Sequence, residues 1–393
     1  MSSSDDTTPG TTTMLGQVID GKAIADAIRS ELALKLREEI ISNASRPGLA
    51  VMLVGNRKDS ETYVRMKQKA CLDVGILSYL QTYPDTDTTD TNNNAVTEEI
   101  LLQQIDAWNN DPTIHGILVQ LPLPPYINEG KIVGAIHPSK DVDGLHPTNV
   151  AQLYNTATHA SSASDESQPP PLDWNDFDTL PFHIPCTPQG CIELLDRINY
   201  KIAGKRAVVI GRSNLVGLPV AMLLLHRNAT VTVVHSQSVN IHEIIHEADI
   251  VIAAAGRPAM VQDSWLKEGC VVIDVGINAI TDTTTLRGYK LVGDVDYMKA
   301  KNVAGWITPV PGGVGPMTIA MLLRNTINSW KRGSVSSSTT TSTKGRGGNM
   351  RCHMNKCQGI RRGGREVGGL EVGCVVIFCF RFSLRTHFFL SIT

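Results

Sequence analysis

Short apolar runs alternate with amphipathic segments twice along this chain, and that alternation restricts the fold more than any single motif. A strand buried on both faces reads as an uninterrupted apolar run, and parallel strands need a crossover, usually a helix, between them. In the first block, IDGKAIADAIRSELALKLREEI has a helical apolar period, GLAVMLVG reads as a buried strand, and a helix follows with Ser60 or Asp59 as its N-cap. ILSYLQTY, EEILLQQIDAWNN and HGILVQLPL continue as strand, helix, strand. In the second block, KRAVVIG, VGLPVAMLLLHRN, ATVTVVH, IHEIIHEA, DIVIAAAG and CVVIDVGIN give strand, helix, strand, helix, strand, strand, before a final helix GPMTIAMLLRNTINSWKR. The pattern predicts an α/β protein with doubly wound parallel sheets. A length of 393 residues is enough for two domains with separate cores.

Three polar, low-complexity stretches punctuate the blocks: PDTDTTDTNNN (Pro84 to Asn94), ATHASSASDESQPPP (Ala157 to Pro171) and SVSSSTTTSTKGRGG from Ser334. They read as a surface loop, a disordered insertion or linker, and the start of a tail. Basic and acidic residues nearly balance, at 36 and 38, which argues against a body built mainly to bind nucleic acid. The tail departs from that balance, with nine Lys/Arg and two Asp/Glu from Ser334 onward. Its GRGG and RRGGRE runs allow an RNA-binding reading. Its ending, CVVIFCFRFSLRTHFFLSIT, reads equally as an extension without a folded role, and a poorly ordered, non-functional tail is expected. No apolar run reaches the length needed to span a bilayer. The N-terminus MSSSDDTTPGTTT has no apolar core, lacks Arg and carries Asp5 and Asp6. It fits neither a secretory signal nor a mitochondrial transit peptide, so a cytoplasmic location is expected, with organellar import left open. The eight cysteines lack a disulfide-scaffold spacing and are expected to be reduced thiols. The tail's CHMNKC has no second well-spaced pair, so no metal site is expected.

AVVIGRSNLVGLP puts Gly211 at a strand end and Gly217 just inside a helix. Backbone amides and a helix N-terminus can meet a phosphate at such a turn. The run is not G-x-G-x-x-G, because Ser213 holds the middle position, so spacing alone leaves open a plain strand-to-helix turn. The next strand, TVTVVHSQS, ends in His235 and Ser236 rather than in the carboxylate that grips a ribose diol in NAD sites. Arg212 can pair a 2'-phosphate, although it can also be an exposed loop charge. Together these favour NADP over NAD. ITPVPGGVGPMT contains the backbone-permissive pair Gly312 and Gly313, and reads as a hinge or a wall of the active site.

One helix breaks its own pattern. At 100° per residue, SETYVRMKQKA gathers Tyr63, Val64, Met66, Ala70, Cys71 and Val74 on one side, and Lys67 falls in the middle of it. Lys69 lies on another face. Gln120 sits near the C-terminal end of a buried strand, and HPSKDVDGLHP supplies Asp141, Asp143 and Gly144 in a loop. Ligands of open α/β sheets bind beyond C-terminal strand ends, so Lys67, Gln120 and Asp143 can converge on one cleft. Two blander readings remain: Lys67 snorkelling past the apolar face to solvent, and Gln120 as a polar strand end. DVDG offers too few carboxylates for a metal site.

Six segments in order, VGNRKDSETYVRMKQK, GILVQLPLP, KDVDG, PCTPQGC, GRSNLVGLP and ITPVPGGVGPMT, make the chain resemble the bifunctional methylenetetrahydrofolate dehydrogenase/methenyltetrahydrofolate cyclohydrolase family from about Met14 to Arg332. The resemblance implies two α/β domains with a cleft between them. The first would be a folate-binding, three-layer catalytic domain over 14–155, completed by a C-terminal helix over 315–332. The second would be a Rossmann-like NADP-binding domain over 183–314. A leader (1–13), a polar insertion (156–182) and a basic tail (334–393) complete the chain. The implied activity is NADP+-dependent oxidation of 5,10-methylenetetrahydrofolate, then hydrolysis of the methenyl product to 10-formyltetrahydrofolate. The alternative is an NAD-preferring enzyme of organellar type. By matching motif, Tyr63 would stack on the folate, Lys67 would be the catalytic lysine, Gln120 would hydrogen-bond and tune it, and Asp143 would grip the pterin's amino edge. Leu121, Pro122, Pro311, Gly312 and Gly313 would line the folate cleft. Gly211, Arg212, Ser213 and Ser236 would hold the cofactor, with Ile277 beside its nicotinamide end. A homodimer is also implied. The synthetase region of trifunctional relatives has no counterpart here, so ATP-dependent synthetase activity is not expected.

Overall fold

The computed structural model describes residues 16–43, 45–84, 96–154, 172–285 and 288–339. The expected leader, the Pro84 to Asn94 loop beyond Pro84, the Ala157 to Pro171 insertion and the tail beyond Thr339 lie outside these residues. In chain order, β1 (Gln17–Val18) and α1 (Gly21–Asn43) precede β2 (Gly48–Val54), α2 (Lys58–Val74), β3 (Leu77–Tyr83), α3 (Glu98–Asn110) and β4 (Gly116–Val119). Two short helices, α4 (Glu129–Gly134) and α5 (Pro147–Leu153), flank the DVDG loop. Then come α6 (Cys186–Arg197), β5 (Arg206–Ile210), α7 (Gly217–His226), β6 (Thr230–Val234), α8 (Ile241–His246), β7 (Ile250–Ala253) and β8 (Val271–Asp274). The antiparallel hairpin β9 (Asn278–Thr281) and β10 (Tyr289–Val292) leads to α9 (Tyr297–Ala300), β11 (Trp306–Ile307) and α10 (Val314–Thr339).

Two parallel sheets result. One has the order β3-β2-β4, the other β1-β11-β8-β7-β5-β6. Each reverses direction once: β3 and β4 lie on opposite sides of β2, and β6 and β7 on opposite sides of β5. Side chains at the C-terminal ends of the central strands therefore face an open crevice, where ligands of such sheets bind. The runs read as buried strands are buried throughout in β2, β4, β7 and β8. By contrast β3 is an edge strand, with Leu77, Tyr79 and Leu80 exposed.

Two parts of the chain leave the block they belong to in sequence. Strand β1 pairs in the second sheet, with Gln17 opposite Trp306. Helix α10 packs against α1, α2 and α6, and its backbone runs to Thr339, past the expected end at Arg332. Residues 172–182, read as the end of a polar insertion, contribute Trp174, Leu180 and Phe182 to the core. Trp174 stacks on His226 with ring centroids 3.6 Å apart. Helix α2 begins earlier than the Ser60 or Asp59 cap implies: Arg57 is the N-cap residue and Asp59 lies in the first turn, where its carboxylate accepts from Ser60 N at 3.0 Å. A negative charge there suits the positive end of the helix. The buried stripe of α2 is Ser60, Val64, Lys67, Ala70, Cys71 and Val74, while Met66, placed on that side by the helical period, is exposed.

Asn325 on α10 ties the helix to two loops at the cleft, donating to Val142 O at 2.9 Å and Ile184 O at 3.0 Å in a buried setting. Replacing it by leucine removes the donor and leaves buried carbonyls short of a partner, a loss of about 1–3 kcal/mol. Asn325→Leu should lower the unfolding free energy by that amount, seen as a lower urea midpoint at an unchanged m-value.

Candidate active site and dinucleotide crevice

Gln120 extends the ladder past β4, its backbone N–H donating to Met52 O at 2.9 Å. Its side chain is held at both ends. Lys67 Nζ donates to Oε1 at 2.9 Å, and Nε2 donates to Leu121 O at 2.9 Å. An amide so fixed presents only its oxygen to the lysine. Lys67 is 8% exposed, and among the described residues no carboxylate lies within ion-pair distance of it. A nearly buried amine with one neutral partner has donors left over. They face a cavity of about 340 Å³ whose walls include Tyr63, Lys67, Gln120, Leu121, Ile277 and Thr318.

An adjoining cavity of about 190 Å³ shares Lys67, Gln120, Leu121 and Thr187 and adds Asp143 and Cys186. On the outer side, a groove of about 860 Å³ is bounded by Tyr63, Ile277, Pro311, Gly312 and Gly313. The cleft residues expected from the sequence thus gather around one continuous region, except Pro122. That residue is not among the cavity walls, and it follows Leu121 through a cis peptide. Thr187 and Thr318, neither singled out from sequence, join hydroxyls at 3.0 Å across the cleft.

The DVDG aspartates separate into two roles. Asp141 is buried, and its Oδ2 accepts from His146 N and Asn149 Nδ2, both at 2.8 Å. Burial pushes its carboxyl up, against these hydrogen bonds, and it organises the loop. Asp143 opens into the cavity beside Lys67. Gly144, at φ +72°, lets this loop pass the Ile184–Pro185 backbone, which a Cβ would approach to 2.5 Å. Burial raises the Tyr63 phenol, assisted by the charge of Asp59, so the ring stays neutral. Cys186 also lines the cleft. Burial raises its thiol well above the usual range, and Sγ donates to Val142 O at 3.3 Å. A thiol so held is no nucleophile. The described cysteines are unbridged and buried, and no cluster of potential metal ligands occurs among the described residues.

The second crevice lies at the other strand-order reversal. Gly211 has φ +119°, and a Cβ there would lie 2.1 Å from Ala254 O. Gly217 fits equally closely, since its Cβ would be 2.3 Å from Gly211 O. Ser213, in the middle position, uses its Oγ to accept from Val216 N at 3.2 Å and Gly217 N at 3.3 Å at the start of α7. The crevice, about 430 Å³, contains Gly211, Arg212, Ser213 and Ser236, with Arg257 and Ser238 as walls the sequence did not reveal. None of its lining residues is Asp or Glu. A glycine turn that admits no side chain, facing serine and arginine donors, fits a phosphorylated dinucleotide. His235 lines it too, but its ring accepts from Gln237 N at 3.2 Å and so helps shape the turn. Ile277 stands in the first cleft rather than here.

The tetrahydrofolate dehydrogenase/cyclohydrolase catalytic domain matches residues 19–143, and the NAD(P)-binding domain of the same family matches residues 185–334. The chain belongs to this family. Bifunctional protein FolD 2 of Arabidopsis thaliana is 51% identical over 316 residues, covering 80% of this chain and 96% of that protein. The mitochondrial bifunctional protein FolD 1 of the same plant is 47% identical over 315 residues, covering 80% of this chain and 81% of that protein. A solved FolD from Trypanosoma brucei, complexed with NADP cofactor and inhibitor, superposes with a TM-score of 0.71 at 41% identity, covering 82% of this chain and 99% of that one.

Gly211 gives the crevice a direct test. A Cβ at this positive φ is strained, typically by about 1–3 kcal/mol, and would push β5 away from Ala254. Gly211→Ala should weaken binding of a nicotinamide dinucleotide at least about tenfold, read by quenching of protein fluorescence on titration.

Proposed function

We propose that this protein oxidises 5,10-methylenetetrahydrofolate with NADP+ and hydrolyses the resulting 5,10-methenyltetrahydrofolate to 10-formyltetrahydrofolate. Family membership supports the pair of activities. The single observation that carries the assignment of residues is the Lys67–Gln120 hydrogen bond, made inside a cleft that Tyr63 and Asp143 also enter.

In this reading Tyr63 offers a flat, neutral ring to stack on the folate. Asp143, a carboxylate, accepts from the pterin's amino edge and sets the ring's orientation. NADP+, when bound by Gly211, Arg212, Ser213 and Ser236, supplies the hydride acceptor. Ile277, on the wall of the first cleft, would stand beside the nicotinamide end of the cofactor, and Leu121, Pro122, Pro311, Gly312 and Gly313 shape the folate side. In the hydrolytic step a water oxygen bonds to the methenyl carbon and loses a proton. The bond from that carbon to N5 then breaks as the new hydroxyl loses its remaining proton to become the formyl carbonyl, and N5 takes up that proton, while the first proton is released. Lys67 stands at the cleft to pass the proton, and Gln120 keeps it aimed without adding a charge. Proton transfer of this kind is worth roughly 100- to 10,000-fold in rate.

The choice of NADP over NAD rests on Arg212 and Ser236 and on the absence of a carboxylate from the crevice walls. The ratio of kcat/KM for the two cofactors tests it against the NAD-preferring alternative. A homodimer belongs to the same reading, with the exposed Leu77, Tyr79 and Leu80 of edge strand β3 as a face for a second copy. No helix among the described residues is long and apolar enough to cross a membrane. A cytoplasmic location is part of the proposal, and fractionation tests it.

Purified protein with tetrahydrofolate, formaldehyde and NADP+ should generate methenyl absorbance, and failure to do so would overturn the assignment. Lys67→Met should slow methenyl hydrolysis at least about 100-fold while folate still binds. Lys69→Met, on the exposed face of α2, should hydrolyse like the parent. Unchanged hydrolysis in Lys67→Met would remove the lysine from the mechanism.

A further inference from the structure

Two arginines reach the dinucleotide crevice, from different turns. Arg212 follows Gly211 after β5, and Arg257 lies in the turn after β7. Gly211 packs directly on Ala254 O, so the two turns touch. The Arg257 turn is fixed from beneath by a fully buried carboxylate. Asp294 Oδ2 accepts from Ala255 N at 2.7 Å and Gly256 N at 2.8 Å, and Oδ1 accepts from Arg257 N at 2.9 Å. Asp294 is itself held by Asn278 Nδ2, which donates to Oδ1 at 2.9 Å, and by its own N–H, which donates to Asp274 Oδ1 at 2.9 Å. Gly276 makes room for it, since a Cβ there would come within 2.2 Å of Asp294 Oδ1.

Three successive N–H groups form a concavity that would otherwise suit an anionic ligand. Asp294 fills it. The backbone of this turn is therefore spent on the protein itself, and what it can offer a ligand is the Arg257 side chain. Neither Arg212 nor Arg257 has a side-chain hydrogen bond or ion pair among the described residues. Ser238 Oγ accepts from His235 N at 3.0 Å, which leaves its O–H to donate. A crevice with two unpaired guanidiniums, hydroxyl donors and no acid suits a group carrying close to two negative charges. A phosphate monoester carries about 1.5 to 2, whereas the ribose diol of NAD carries none.

We propose that Arg257 is a second specificity-determining residue for the 2'-phosphate of NADP, acting with Arg212 from the opposite side of the strand-order reversal. This rests on the NADP reading above. Arg257 is exposed, so its replacement should leave folding intact, which circular dichroism checks. The test is calorimetric binding of adenosine 2',5'-bisphosphate and of adenosine 5'-monophosphate to the full chain, with Arg257→Ala and Arg257→Lys. In Arg257→Ala, affinity for the bisphosphate should fall at least about tenfold, while that for the monophosphate changes less than about twofold. Arg257→Lys should recover part of the difference. The kcat/KM ratio of NADP+ over NAD+ should fall in parallel. If the parent prefers the bisphosphate and Arg257→Ala keeps that preference, the assignment of Arg257 is overturned and the NADP reading stands. If the parent shows no preference, the NADP reading fails and takes this inference with it.

Discussion

A nearly buried amine whose only described hydrogen bond is to a neutral amide sets the terms for the first cleft. Lys67 lies on the core-facing stripe of α2, and Gln120 Oε1 accepts from it at 2.9 Å. Had position 120 carried a carboxylate, the pair would satisfy itself as an ion pair, and breaking it would leave an uncompensated buried charge. A glutamine orients the amine yet leaves its remaining donors for a ligand. Much of the surrounding structure serves that one contact. The cap at Gly75 ends α2 through a bond to Cys71 O, and the β2–β4 register sets the height of Gln120. The Gln120 Nε2 bond to Leu121 O then settles which end of the amide meets the lysine.

Helix α10 holds the two sheets in a working relation. Its first turn supplies Val314, Gly315 and Thr318 to the cleft. Further along, Asn325 bonds both cleft loops, and Ser329 Oγ reaches His115 O and Ser139 O, each at 2.6 Å. Arg324 donates to Glu193 Oε2 at 2.8 Å, and Arg197 donates to the other oxygen at 2.9 Å. Burial pushes the Glu193 carboxyl up, but the two guanidiniums outweigh it and leave it below the usual range. Arg197 continues to Glu31 at 2.7 Å, so α1, α6 and α10 form one unit. Helix α1 also meets the loop before α10: Lys22 N donates to Gly312 O at 2.9 Å, and Gly21 admits the Gly313 backbone where a Cβ would lie 2.0 Å from its oxygen.

What could be read from sequence follows from how local each feature is. The helical period exposed Lys67 as an anomaly because burial on one helix repeats every turn. Most strands of both sheets, though not β1 or β11, were legible as apolar runs, and Gly211 and Gly217 as a turn. Features made by distant pairing were not. Strand β1 is two residues long and finds its partner in β11, almost the whole fold away. The hairpin β9–β10 is made of half-buried and exposed residues and lacks an apolar run. Trp174 sits behind a proline-rich polar stretch, and its partner His226 lies on α7. Thr187 and Thr318 are unremarkable alone and become a cleft feature only when α6 meets α10. Arg257 had no local pattern at all, because its place depends on β5 and β7 lying side by side.

That dependence explains why both sites occupy the same kind of position. Where a parallel sheet reverses its strand order, the loops after the central strands diverge and leave side chains from both directions facing one space. In the first sheet this brings Gln120, after β4, beside Lys67 from the helix after β2. In the second it brings Arg212, after β5, into the same crevice as Arg257, after β7. In each case a cation reaches a ligand space without an ion-pair partner among the described residues, and a side chain of the opposite or neutral kind fixes the geometry from behind: half-buried Gln120 for Lys67, buried Asp294 for the Arg257 turn. A cation held by its backbone or by a neutral amide keeps its charge available. The fold therefore supplies position and withholds compensation, and compensation is left to whatever binds.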